Sequence, residues 1–173
     1  MKESVNRLDF EELSNQFTLK QLTEADIPDL YHLCVSNPRY YSYLKCEPDP
    51  ETLKGELIAL PPGRTLEDKY FAGIYRDGRM IAILDLITGY PNPKTAFIGW
   101  FMVDSALQGN GIGRGFIAEL CAYLKDSGFD QIRLGCIEDN AEGRRFWERN
   151  GFCYTGNQYS TEHYTVLVLQ KSL

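Results

Sequence analysis

The sequence predicts an α/β fold of the α+β kind: a mixed, mostly antiparallel central sheet with helices on both faces. Three observations predict it. Strand-like runs and amphipathic helical runs alternate along most of the chain. Three of the strand runs follow one another directly, joined by tight turns, as an antiparallel meander requires. Past the middle, a strand, a glycine-rich turn, a helix and a further strand make one βαβ crossover, which adds a parallel pair.

Each element has a local reason. "FTLKQLT" (17–23) reads as an edge strand, and Thr23 as the cap of a helix running to about Ser36, with Ile27, Leu30, Tyr31 and Cys34 on one face. "SNPRYYSYLKCEPDP" (36–50) reads as an irregular connector with three tyrosines. Asp49 is the expected N-cap, and Pro50 the first residue, of a second helix carrying Leu53, Leu57 and Ile58 and stopping before Pro61. "KYFAGIYR" (69–76) turns through Asp77-Gly78 into "RMIAILDLITGY" (79–90), since Asp-Gly favours a two-residue hairpin. "TAFIGWFMV" (95–103) completes the meander. A helix from about Gly111 to Ser127 repeats Ile112, Phe116, Leu120 and Leu124, with Ile117 and Cys121 beside them. "QIRLGCI" (131–137) alternates as a strand does. "DNAEGRRFWERN" (139–150) is a short helix capped by Asp139 or Asn140 and closed at Gly151. "FCYT" and "HYTVLVLQ" finish as strands. The reading is one domain over 1–173 with its core at about 17–170.

The 173 residues suit a single domain, and 43% hydrophobic with 24% charged residues is a globular composition. A net charge of −6 and a pI of about 5.0 argue against nucleic-acid binding by a broad basic surface. They are compatible with a cationic substrate such as an amine. Five widely spaced cysteines, with no C-x-x-C pair, suggest reduced thiols rather than a disulfide framework or a metal site. The start, "MKESVNRLDFEEL", lacks a signal-peptide core, and "AFIGWFMV" is far short of the ~20 residues of a membrane span. A cytoplasmic protein without membrane attachment is expected.

"FMVDSALQGNGIGRGF" (101–116) carries the functional signal. Four glycines alternate from 109 to 115 as a helix begins. The first N–H groups of a helix are unbonded within it and attract anions, and glycine lets a phosphate come close. The competing reading is that small residues allow close strand–helix packing. The dinucleotide fingerprint G-x-G-x-x-G fails, because its last position falls on Arg114 or Phe116. The P-loop fails at the same two residues.

"Q-G-N-G-I-G" (108–113) resembles the Q/R-x-x-G-x-G/A signature of the GNAT superfamily of N-acetyltransferases. "NAEGRRFWERNGF" (140–152) resembles that family's N-x-x-A-x-x-L-Y-x-x-x-G-F segment, and the element order agrees over nearly the whole chain. The resemblance implies the GNAT acyl-CoA acyltransferase fold and acetyl transfer from acetyl-CoA to a primary amine, by direct attack in a ternary complex and without a metal. It implies that Gln108, Gly109, Asn110, Gly111, Ile112, Gly113 and Arg114 hold the pyrophosphate. It implies that Met102 and Val103 offer main-chain groups to the pantetheine arm, where an N–H polarises the thioester carbonyl. It places Asn140 beside the pantetheine and Phe146 at the apolar position next to it, although Asn140 is equally a helix cap and Phe146 equally core. It puts the acceptor site on the connector between the first two helices, with Tyr40, Tyr41 and Tyr43, for a small-molecule or peptide amine. A homodimer is compatible with it.

Two positions depart from the pattern. The family tyrosine that protonates the thiolate falls on Trp147, whose indole is no acid; Tyr154 or water is the substitute considered. A thiol with a pKa near ~8.5 leaves with little help. Gly143 also replaces the usual alanine. The strand 95–103 carries no acid, so Asp85, inside "MIAILDLI", is the candidate base. Asp104, Glu138 and Asp139 read as caps or solvated groups, and His32 and His163 as weaker candidates. A base matters because an amine of pKa near ~10.4 is neutral in only about one molecule in 10³ at pH 7. Two alternatives remain: a weakly catalytic acyl-CoA-binding protein on the same fold, and a module that uses the loop for another phosphate ligand.

Overall fold

The computed structural model describes residues 7–173. The first six residues, part of the start expected to lack a signal peptide, lie outside them. Seven strands form one sheet: β1 (Thr18–Gln21), β2 (Lys69–Arg76), β3 (Arg79–Thr88), β4 (Thr95–Val103), β5 (Gln131–Ile137), β6 (Cys153–Ser160) and β7 (Thr165–Ser172). Their order is β1-β2-β3-β4-β5-β7-β6, antiparallel except for the β4–β5 pair. The helices are α1 (Ile27–Val35), α2 (Pro38–Leu44), α3 (Pro50–Glu56), α4 (Ile112–Asp126) and α5 (Ala141–Arg149).

Strand alternation sends side chains to two cores. On one face Ile81, Leu84, Leu86, Ile98, Leu134 and Leu169 meet Phe116, Ile117, Leu120 and Leu124 of α4 and Trp147 of α5. On the other, Phe71, Ile83 and Met102 meet Leu30, Leu33 and Cys34 of α1, Tyr41 of α2 and Leu53 of α3. The Asp77-Gly78 turn has φ of 53° and 75°, the two left-handed residues that a type I′ hairpin needs. Asp49 caps α3 by accepting from Thr52 N at 2.8 Å.

Three expectations change. The stretch after Ser36 is not wholly irregular: Pro38 opens α2, which ends at Lys45 in the left-handed region. A proline costs nothing at a helix's first position, because its missing N–H has no partner there. Second, the core begins before residue 17. Leu8 and Leu13 are buried in it, Phe10 packs edge-on against Tyr70, and the Tyr123 hydroxyl accepts from Asp9 N at 2.7 Å. Third, α3 stops at Glu56, and Ile58 lies outside it and exposed.

Candidate active site

β4 and β5 are hydrogen-bonded neighbours only from Thr95–Gln131 to Ile98–Leu134. Beyond that point β4 continues to Val103 paired with β3 alone, and β5 continues to Ile137 paired with β7 alone. The two strands therefore part into a wedge. The parting coincides with a bulge in β4, where Asp85 opposes Trp100 and Leu86 opposes Ile98, so Gly99 is the extra residue. A Cβ at Gly99 would lie 2.8 Å from Asp85 Oδ2, which explains why glycine occupies the bulge.

The mouth of the wedge holds the glycine loop. After β4, Asp104 caps a single 3-10 turn at Ser105–Leu107, and the chain reaches α4 at Gly111. Gly109 and Gly111 have φ of +80° and +79°, and no atom lies within 4 Å of a Cβ built on either. No backbone carbonyl among the described residues accepts from the amides of 109–114; the first such bond of the helix is Gly115 N to Gly111 O at 2.9 Å. Open space in front of unbonded amides at the start of a 15-residue helix suits an anion. Gly113 serves the other purpose. Its Cβ would stand 3.2 Å from the Phe146 ring and 3.5 Å from Val103 Cγ2, so a small residue there lets α5 and β4 pack against α4. The alternating glycines thus divide between the two readings, and Gly115 meets neither constraint. Ile112 is half-buried and packs on the α4-side core, while Asn110 and Arg114 are exposed.

Phe146 reaches the loop from α5 and stacks on Phe101 of β4 at 6.1 Å. Asn140 caps α5, its Oδ1 accepting from Gly143 N at 2.9 Å. A Cβ at residue 143 would sit 2.6 Å from the Asn140 amide nitrogen, a reason for glycine in place of the usual alanine. Trp147 is buried against Phe101, Phe146 and Phe152. Met102 is buried on the α1 side. The Val103 carbonyl is occupied, accepting from Gln108 Nε2 at 2.9 Å and from Asn37 Nδ2 at 3.2 Å.

Tyr154 is not brought to the wedge. It lies on β6, the far edge strand, with β7 and β5 between it and β4; at about 4.8 Å per strand that is roughly 14 Å. Its hydroxyl donates to Gln158 Oε1 at 3.1 Å, and its ring lies beside Arg144. Of the weaker candidates, His32 and His163 are both exposed. Asp104 is held by Arg79 at 2.7 Å while capping its turn.

Asp85 does reach the bulge, but not as a free carboxylate. Both of its oxygens accept from Lys69 Nζ at 2.9 Å, and Lys69 also donates to Ala59 O at 2.8 Å. Burial pushes the Asp85 carboxyl up to about 6 against the pull of Lys69, and nearby Glu56 adds to the rise. The tyrosines separate by role. Tyr41 is buried in the core, with burial pushing its hydroxyl's pKa well up. Tyr43 is half-buried. Tyr40 stacks on Trp100 at 6.3 Å with an 18° interplanar angle, and Tyr164 and Glu56 are both close enough to push its pKa up further than burial alone.

Sequence reasoning missed four residues around the bulge and the loop: Trp100, whose indole N–H is buried without a partner among the described residues, Glu56, Lys69 and Asn37. Glycine inside an apolar strand was the available signal for the bulge that presents Trp100.

The comparisons agree with this geometry. The model of the acetyltransferase (GNAT) family matches residues 24–152. An acetyltransferase from Thermus thermophilus superposes with a TM-score of 0.74 at 20% identity, over 91% of this chain and 97% of the other. A Salmonella typhimurium acetyl transferase, described as modifying the N-terminal serine of 50S ribosomal subunit protein L7/L12, gives 0.71 at 20% identity over 93% and 97%. The PaiA N-acetyltransferase of Thermoplasma acidophilum, in complex with coenzyme A, gives 0.65 at 17% identity over 91% and 99%. No curated protein matches the chain in sequence. A splayed parallel pair with a loop of free amides at its mouth and a matching family model over most of the length lead to one conclusion: this chain belongs to the GNAT family of acetyltransferases.

Proposed function

We propose that the protein transfers an acetyl group from acetyl-CoA to a primary amine, with a peptide N-terminus as the favoured acceptor. The observation that carries the donor half is the row of amides at 109–114 with no backbone acceptor among the described residues, and open space at Gly109 and Gly111. Gly109, Asn110, Gly111, Ile112, Gly113 and Arg114 would hold the pyrophosphate through their main chain. Phe146 and Asn140 would flank the pantetheine on the α5 side, with the β4 main chain at Met102 and Val103 opposite. The acyl thioester, when bound, supplies the carbonyl that the amine attacks.

The chain's own residues do the rest. On the α1–α3 face, Tyr40 and Trp100 form a stacked aromatic wall beside the bulge. Aromatic faces and nearby carboxylates both attract an ammonium group. The orphan Trp100 N–H would donate to a carbonyl next to the amine, which a peptide N-terminus has and a simple alkylamine lacks. The Salmonella relative's described activity on a protein N-terminus is consistent with this. Glu56 is half-buried and in no ion pair among the described residues, so we assign it the proton of the incoming ammonium. Asp85, the base that the sequence suggests, is committed to Lys69; its role is to hold the bulge. The thiolate departs without a tyrosine acid, because its basicity is low enough. We place this chemistry in the cytoplasm, a compartment that supplies acetyl-CoA.

The test measures free thiol released from acetyl-CoA over a panel of N-terminal peptides, lysine side-chain peptides and simple amines, beside calorimetric binding of CoA. Peptide N-termini should give the highest kcat/KM. A protein that takes up no CoA refutes the donor assignment; one that binds CoA yet acetylates nothing supports the binding-protein alternative.

A further inference from the structure

Asn37 stands between α1 and α2 at the N-cap of α2, where an asparagine side chain ordinarily bonds to its own helix. Here it makes no cap bond. It is buried, and its amide donates to Leu33 O at 3.0 Å and to Val103 O at 3.2 Å. Its Oδ1 accepts from Gln108 Nε2 at 2.7 Å, and the same Gln108 nitrogen donates to Val103 O at 2.9 Å. Asn37, Gln108 and the last carbonyl of β4 therefore form a closed ring of hydrogen bonds. Beside it, Ser105 N donates to Ser36 Oγ at 3.4 Å. The side chain that opens the tyrosine-bearing helix is spent on the loop that faces the donor.

We propose that Asn37 is a positioning residue that couples the donor loop to the acceptor helix. The inference rests on the reading that this loop binds CoA. Neither partner can shift without leaving a buried amide or carbonyl unpaired, which is costly in a low-dielectric setting. Whatever steadies the loop that Gln108 begins steadies the start of α2, and with it the stacking of Tyr40 on Trp100. Linkage makes the effect reciprocal, so an acceptor that presses on Tyr40 tightens the hold on the donor.

Two measurements test this. Asn37→Ala and Gln108→Ala are made singly and together, and CoA affinity is measured by calorimetry. Each single change should weaken CoA about tenfold, and the pair no more than the worse single one, because the ring acts as a unit. A double variant weakened by the product of the two, about a hundredfold, overturns the proposal. The second readout is the emission of Trp100. The chain has two tryptophans, so a Trp147→Phe background isolates it. CoA should shift this emission in the background protein, and at saturation should fail to shift it once Asn37→Ala is added. A shift that persists there, or a background protein that binds CoA with no shift, overturns the coupling. Should Asn37→Ala not fold, Asn37→Ser, which keeps a capping side chain but cannot reach both partners, takes its place in the double-variant comparison, and Gln108→Ala at the exposed end of the ring carries the emission measurement. Absence of CoA binding in the unaltered protein would instead defeat the donor reading itself, which keeps the two failures apart.

Discussion

The Lys69–Asp85 pair makes the strongest quantitative prediction. Lys69 has 1% of its side chain exposed and Asp85 9%, and Nζ lies 2.9 Å from both carboxylate oxygens. Removing water from two charges costs several kcal/mol each, which their mutual attraction only offsets when both are present. Asp85→Leu leaves a buried ammonium with the Ala59 carbonyl as its remaining hydrogen-bond partner. That should cost about 3–5 kcal/mol, and Lys69→Met a similar amount. In a chain of this size each kcal/mol moves the melting temperature by roughly 2–4 °C, so either single variant should melt about 10 °C lower. The double variant, with two apolar side chains of similar bulk, should return to within ~1 kcal/mol of the parent or exceed it. Urea unfolding followed by far-UV circular dichroism at pH 7 gives all three values. The pH dependence supplies a second check. The folded-state pKa of Asp85 lies near 6 and its unfolded value near 3.8, so folding favours the protonated form. Its own contribution is present below about pH 4 and is lost as pH rises through about 6. Parent stability minus that of the double variant should therefore fall across this window. The reasoning is refuted if the double variant is as unstable as the two single ones combined, or if that difference rises with pH.

Other outcomes follow from the site. Glu56→Gln should lower kcat/KM about tenfold at pH 7, because roughly one N-terminal amine in ten is neutral there, and recover as pH approaches the amine's pKa near ~8, whereas Asp85→Asn should lower stability more than turnover; pH–rate profiles of both variants decide. Gly111→Ala places a side chain at φ +79° in otherwise open space, so it should cost about 1 kcal/mol in stability while weakening CoA by more than tenfold in calorimetry. Tyr154→Phe should leave kcat within about twofold, since its hydroxyl lies on the far edge of the sheet; a larger loss in a steady-state assay overturns the placement.

What could be read in the residues, and what could not, divides by range. β2, β4 and β5 coincide with the segments that alternation and turn chemistry mark, because those signals are local. The loop's spacing pointed to the proposed donor site for the same reason. Helix α2 escaped notice because tyrosine and serine are indifferent helix formers; its one start signal, Pro38 after Asn37, was outweighed. The Lys69–Asp85 pair was closer to hand. Asp85 opposes Phe71 and Lys69 opposes Ile87, so the two lie diagonally on one face, as the hairpin register from Asp77-Gly78 allows. The wedge and the Asn37 ring are different in kind. One depends on where two strands cease to pair, the other on residues 66 and 71 positions apart. Tyr154 was chosen for its chemistry alone, and strand order removed it.

The way the two central strands diverge has an evolutionary consequence. In the proposed reading, donor recognition is written in peptide groups and torsion angles, which most side-chain exchanges leave untouched. The proposed acceptor wall, by contrast, is made of individual rings and acids that one substitution can replace. A scaffold so divided can drift to one-fifth identity with its relatives while keeping its shape, and can change clients without relearning its coenzyme.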